Sequence, residues 1–123
     1  MSASCKRVLI VDDYPDAADS LAVLIECHGH KAFVAYDVAS GLQLANRIDP
    51  DIIFHDLALP DFDGYFAVRA LRRNAKFAKT LMIAFSGFAD RHTVERVYAS
   101  GFDLHIAKPI TGEALRDILA KGD

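Results

Sequence analysis

A chain of 123 residues, 52% of them hydrophobic and 25% charged, has the material for one core and not for two. Its net charge of -3, with Lys and Arg scattered along the chain, lacks the basic footprint of a DNA or RNA binder. No apolar run approaches the roughly 18 residues that cross a bilayer, the N-terminus has no signal-peptide pattern, and Cys5 and Cys27 show neither metal nor disulfide spacing, so a cytoplasmic protein with two free thiols is expected.

The first predicted strand, Lys6 to Val11, is apolar at its end and meets Asp12 and Asp13. Pro15, tolerable only in a first turn, opens a helix whose expected inner face is Ala17, Leu21, Leu24, Ile25 and His28, and Gly29 ends it. A second strand, Lys31 to Tyr36, leads to a helix capped by Asp37, carrying Leu42, Ala45 and Ile48, and stopped by Asp49 and Pro50. The third strand, Ile52-Ile53-Phe54, is a short apolar run of the kind buried on both faces of a parallel sheet, and it ends in Asp56. A third helix is expected from Gly64 to about Ala75, with Phe66, Val68, Ala70 and Leu71 as its apolar surface. The fourth strand, Thr80 to Phe85, stops at Ser86-Gly87. The fourth helix, about Asp90 to Ala99, should turn Val94, Val97 and Tyr98 inward. The fifth strand, Asp103 to Ala107, runs into Lys108-Pro109, and Thr111 caps a last helix with Leu115, Ile118 and Leu119 on one stripe.

Strands alternating with helices at short connections imply an α/β fold with helices on both faces of a parallel sheet. In such a sheet the carboxyl ends of all strands share one edge, so Asp12, Asp13, Asp56, Ser86 and Lys108 should converge. Two carboxylates about 4 Å apart repel by on the order of 1 kcal/mol in water and more at a protein surface, so three of them call for a cation. An oxygen-only set suits Mg2+ rather than zinc. Neither phosphate-binding glycine pattern follows the first strand, and Asp12 and Asp13 would repel the phosphate of a flavin nucleotide.

The set Asp12-Asp13, Asp56, Ser86-Gly87 and Lys108-Pro109, with Asp56-x-x-x-Pro60-x-x-Asp63-Gly64, closely resembles the receiver domain of two-component response regulators over the whole chain. The resemblance implies a (βα)5 flavodoxin-like fold with strand order 2-1-3-4-5 and one receiver domain over residues 1–123 without an output domain. It implies phosphoryl transfer onto Asp56 from a sensor histidine kinase or a histidine phosphotransfer protein. By the same resemblance Mg2+ is held by Asp13, Asp56 and the backbone carbonyl of Ala58, with Asp12 acting through water. Lys108 and Ser86 contact the phosphoryl oxygens, Gly87 keeps the approach open, Pro60 and Gly64 shape the loop beside Asp56, and the Lys108-Pro109 bond is cis.

In this family Ser86 moves on phosphorylation and an aromatic residue three places before the lysine turns inward. That place holds His105 here, which departs from the usual Phe or Tyr; it is either a switch whose ring can take a proton or an exposed edge-strand residue. Downstream proteins are expected on the face of the fourth helix, fifth strand and fifth helix, including Arg96, Tyr98 and His105. His28 and His30 are read as surface residues, His55 as a packed residue that satisfies a backbone group, and Asp63 as a turn former. Turnover as an enzyme is not expected: a dehalogenase-type phosphatase would need a second Asp where Ala58 stands. The alternatives are a phosphorylation-independent adaptor on the same fold and a receiver fragment of a hybrid kinase.

Overall fold

Each apolar run becomes a parallel strand followed by a helix that crosses back over the sheet in the computed structural model, which describes residues 5–57, 64–87 and 91–121. In chain order these are β1 (Arg7–Val11), α1 (Pro15–Cys27), β2 (Lys31–Ala35), α2 (Val38–Ile48), β3 (Ile52–Asp56), α3 (Gly64–Arg72), a 3-10 turn (Ala75–Phe77), β4 (Leu81–Ser86), α4 (Arg91–Ser100), β5 (Leu104–Ala107) and α5 (Gly112–Ala120). The strands lie in the order β2-β1-β3-β4-β5, all parallel, as the resemblance implied. The chain moves outward from β1 to β2 and then, from β3 onward, in the opposite direction. A crevice therefore opens where the order reverses, outside the carboxyl ends of β1 and β3.

Alternation along the central strands divides the core in two. Leu9, Val11, Ile53 and Met82 pack with Ala45, Val68, Leu71 and Val97 of α2, α3 and α4, whereas Val8, Ile10, Phe54 and Ile83 pack with Ile25, Leu115 and Ile118 of α1 and α5. Asp37 caps α2 by accepting from the Ser40 amide at 2.7 Å, and Thr111 caps α5 by accepting from the Ala114 amide at 3.0 Å.

Several sequence expectations need correction. α3 ends at Arg72 instead of Ala75, because Asn74 leaves the helix and its side chain caps the separate 3-10 turn. Tyr98 does not face inward: it is 48% exposed, a 100° step around α4 from the buried Val97, and Ser100 takes the other inner position. Phe66 and Leu24 are likewise exposed, with the inner stripes formed by Tyr65, Val68 and Leu71 on α3 and by Ala18, Leu21 and Ile25 on α1. His28 lies on the surface as expected, outside the inner stripe to which its spacing assigned it. His30, read as a plain surface residue, is half-buried, and its Nδ1 accepts from the Lys6 amide at 3.0 Å.

Candidate functional site

The site is assembled by strand ends. Residues 8–11 of β1 are almost wholly buried, and the strand carries Asp12 into the crevice with no exposed surface of its own. The Asp12 amide continues the β1-β2 ladder by donating to the Ala35 carbonyl at 3.1 Å, and one carboxylate oxygen accepts from the Tyr14 amide at 3.0 Å, which fixes its orientation. Asp13, the next residue, points to solvent. Asp56 ends β3 and is 3% exposed. One oxygen from each of these three carboxylates lies within 4.8 Å of the others.

Lys108 brings the opposite charge. Its amide donates to the Ser86 carbonyl at 2.8 Å, the peptide bond to Pro109 is cis, and the ammonium lies 3.0 Å from Asp56 Oδ2 and 3.4 Å from Asp12 Oδ2. Burial pulls the lysine's pKa down, but its hydrogen bond to Asp56 and the charges of Asp56 and Asp12 outweigh that, leaving it above the ordinary value. Burial raises the Asp12 carboxyl above its ordinary range; the Tyr14 amide opposes this, and the neighbouring Asp56 carboxyl adds to it. One ammonium among three carboxylates leaves the crevice strongly negative.

Ser86 closes β4 at 7% exposure, beside Asp56, whose register partner is Phe85. Its Oγ lies 3.2 Å from His105 Nε2 on β5, so the edge-strand histidine reaches the site. A Cβ placed on Gly87 would meet nothing within 4 Å among the described residues. His55 is buried, and its Nδ1 donates to the Asp56 carbonyl at 2.8 Å, fixing the peptide that carries the acceptor candidate. Burial lowers its pKa and keeps the ring neutral, and it meets Phe102 edge-on with ring centroids 6.4 Å apart. Gly64 is the first residue of α3; Ala58, Pro60 and Asp63 lie outside the described residues.

One neighbouring feature was not legible in the sequence. Ala17, Leu21 and Leu24 of α1, together with Phe85, Pro109 and Ile110, line an apolar hollow of about 260 Å³ that has Lys108 at its rim. The available signal was an apolar stripe on α1 too wide for the core, since Val23 and Leu24 are both exposed.

Comparison with known proteins agrees with this architecture. The family described as response regulator receiver domain matches residues 8–120. Protein PilH of Pseudomonas aeruginosa is 31% identical over 111 residues, which cover 89% of this chain and 90% of PilH. The DNA-binding dual master transcriptional regulator RpaA of a Synechocystis strain is 30% identical over 109 residues; the match covers 89% of this chain and 45% of RpaA, so the chain spans less than half of that relative. A CheY-like response regulator receiver domain from Methylobacillus flagellatus superposes with a TM-score of 0.80 at 31% identity, covering 94% of this chain and 97% of the other. The chemotaxis response regulator CheY4 of Vibrio cholerae has the same fold, with a TM-score of 0.87 at 22% identity, covering 94% and 97% of the two chains.

Proposed function

The chain belongs to the response regulator receiver domain family of two-component signalling, and from that membership we propose that it takes a phosphoryl group onto Asp56 from a phosphohistidine donor. The observation that carries this reading is the Lys108 ammonium, 3.0 Å from a buried Asp56 carboxylate that shares its crevice with Asp12 and Asp13. An adaptor would have no use for three repelling carboxylates held together in this way.

The donor set fits a hard divalent cation: it is made only of carboxylate oxygens, and one ammonium does not neutralise it. Asp13 and Asp56 would hold Mg2+ directly, together with the Ala58 carbonyl, and Asp12 through water. When bound, Mg2+ supplies charge neutralisation for the incoming phosphoryl oxygens. A carboxylate oxygen of Asp56 attacks phosphorus, the bond from phosphorus to the donor's imidazole nitrogen breaks, and the imidazole keeps the electron pair. Lys108 pairs with a second phosphoryl oxygen as charge develops, and the Ser86 hydroxyl donates to a third.

The apolar hollow beside Lys108 suits docking of the donor protein, which is a histidine kinase or a histidine phosphotransfer protein. A downstream protein would use the α4-β5-α5 face, where Tyr98 is exposed and Arg96 stacks its guanidinium 4.0 Å from the Tyr65 ring centroid. No helix among the described residues is long and apolar enough to cross a membrane.

The test is incubation with a small phosphodonor and Mg2+, followed by intact mass. One added phosphoryl group is expected, absent in Asp56→Asn and in chelator. A wild-type protein that remains unmodified would leave the adaptor reading in its place.

A further inference from the structure

The edge of the sheet opposite the crevice, where the strands begin, holds a cavity of about 380 Å³. Lys6 leads into β1, Asp51 into β3 and Thr80 into β4, and the ladder extends past the strands here: the Asp51 amide donates to the Arg7 carbonyl at 2.8 Å and the Leu81 amide to the Asp51 carbonyl at 3.0 Å. α2 and α5 run back against the strands and end at this edge, in Asp49 and Lys121. The fold thereby gathers Lys6, Lys76, Lys79 and Lys121 around one cavity from distant parts of the chain, with Asp49 and Asp51 as the carboxylates of its described lining. In a protein of net charge -3, this lining carries two more positive charges than negative ones.

Part of that positive charge is already in use. Helix C-termini present unpaired carbonyls and the negative end of the helix dipole, and Lys6 and Lys76 answer them. Lys6 donates to the Leu119 carbonyl and, at 2.7 Å, to the Lys121 carbonyl; Lys76 donates to the Asn46 carbonyl at 2.6 Å and pairs with Asp49 at 2.7 Å. Asp51 Oδ2 accepts from the Arg7 amide at 2.9 Å. Lys79 and Lys121 differ from these. Both are exposed, and among the described residues neither ammonium has a hydrogen-bond or ion-pair partner.

A phosphate group carries about 1.5 to 2 negative charges near neutral pH and three acceptor oxygens, which two ammonium groups can share, whereas a carboxylate carries a single charge. Lysine binds phosphate as a point charge on a flexible stem, so no fixed fork geometry is required. The cavity falls within the roughly 300–1,000 Å³ of small-molecule sites, and Pro50, Ile52 and Leu81 give it an apolar side. We propose that this cavity is a second binding site, for a small phosphate-bearing anion held by Lys79 and Lys121. It lies across the sheet from Asp56 and does not depend on the acceptor reading.

The test is titration of the whole chain with pyrophosphate and, separately, with ADP, followed by amide NMR shifts and calorimetry. Both are run in chelator, where the acidic crevice repels anions. Shifts are expected at residues 49–52 and 76–81, and the double variant Lys79→Gln, Lys121→Gln should bind about ten-fold or more weakly, as expected for loss of bonds to charged donors. Arg116→Gln, which removes an exposed cation of α5 outside the cavity lining, should bind as the wild type does, and so should Asp56→Asn. The amide spectrum of each variant reports its folding in the same experiment. Tighter binding of ADP than of pyrophosphate would assign the apolar side to a nucleoside, and equal binding would assign the site to inorganic phosphates; either supports the proposal. No shifts at these residues, equal binding by the double variant, or equal weakening by Arg116→Gln overturns it, the last by showing diffuse attraction to surface charge. Loss of binding in Asp56→Asn would place the anion in the crevice and overturn it too, while the acceptor reading is judged separately by phosphoryl uptake.

Discussion

The ammonium of Lys108 lies 3.0 Å from a carboxylate oxygen of Asp56, a residue 52 positions earlier in the chain, and 3.4 Å from one of Asp12. This is the cation that the described crevice sets against three converging carboxylates, and the incoming phosphoryl group adds further negative charge. Lys108→Met keeps the length of the side chain and removes the charge. Phosphoryl uptake from a small donor should then fall by about 100-fold, the usual cost of deleting one preorganised donor to developing charge. Lys108→Arg should restore only part of it, since a planar fork cannot replace a point charge in the same space. Time courses by intact mass check both; uptake by Lys108→Met at the wild-type rate would remove the ammonium from the chemistry.

Asp13 is exposed while its two carboxylate neighbours are buried, so its charge can be removed with little disturbance of packing. In chelator, Asp13→Asn should be more stable than the wild type by about 1 kcal/mol, the repulsion of like charges near 4 Å in a watery setting. With Mg2+ at about 100 times its dissociation constant, the wild type should gain about 2.7 kcal/mol and the variant far less. Thermal melts with and without Mg2+ check this. A variant as responsive to Mg2+ as the wild type would exclude Asp13 as a ligand.

Gly41 sits inside α2, where alanine ordinarily favours a helix by about 1 kcal/mol. Here a Cβ would lie 2.8 Å from Val11 Cγ2 and 3.2 Å from Cγ1. Val11 is 2% exposed and β-branched, so its methyls cannot swing aside, and overpacking should outweigh the helix preference. Gly41→Ala is expected to destabilise by about 1–3 kcal/mol in urea denaturation. Since Val11 precedes Asp12, the shift should also weaken Mg2+ binding; a stabilised variant would show that α2 can move freely off β1.

The strands were legible because buried parallel strands are written as unbroken apolar runs, whereas their order came only with the family resemblance; the candidate site was legible because such a sheet places Asp12, Asp56, Ser86 and Lys108 at strand ends. Helix faces were less so. Tyr98 and Val97 are adjacent and both apolar enough to be core, and only packing of α4 on the sheet decides that Val97 is inside. Contacts made across the fold by long polar side chains were not legible at all. Lys6 is 6% exposed and its ammonium donates to the Leu119 carbonyl and, at 2.7 Å, to the Lys121 carbonyl, yet in the sequence it is one more lysine before a strand. The Ser86-His105 bond belongs to the same class, since it depends on the β4-β5 register and not on spacing.

Arg72, at the end of α3, is the other side chain of this kind, and it ties together four segments. Its Nε donates to the Gly101 carbonyl at 2.9 Å, one terminal nitrogen donates to the Phe77 and Thr80 carbonyls at 3.0 Å each, and the other lies 2.6 Å from Asp103 Oδ2. Gly101 has φ +117, and a Cβ there would come within 3.0 Å of Arg72 Cγ, so the turn and the arginine stem are fitted to each other. The ion pair contributes little, because Asp103 is 43% exposed at its side chain. The three carbonyls matter more, as each loses a charge-assisted donor when the guanidinium is removed. Arg72→Ala is therefore expected to cost about 2 kcal/mol, and Arg72→Lys nearly as much because one ammonium cannot span the acceptors, whereas Asp103→Asn, which can still accept the Met82 amide, should cost under about 1 kcal/mol. Urea denaturation with unchanged slope would report these values as native-state losses. Because Arg72 holds the entries to β4 and β5, away from their carboxyl ends, phosphoryl uptake by folded Arg72→Ala should match the wild type. Equal losses in Arg72→Ala and Asp103→Asn would mean that the ion pair, and not the carbonyls, anchors this corner of the fold.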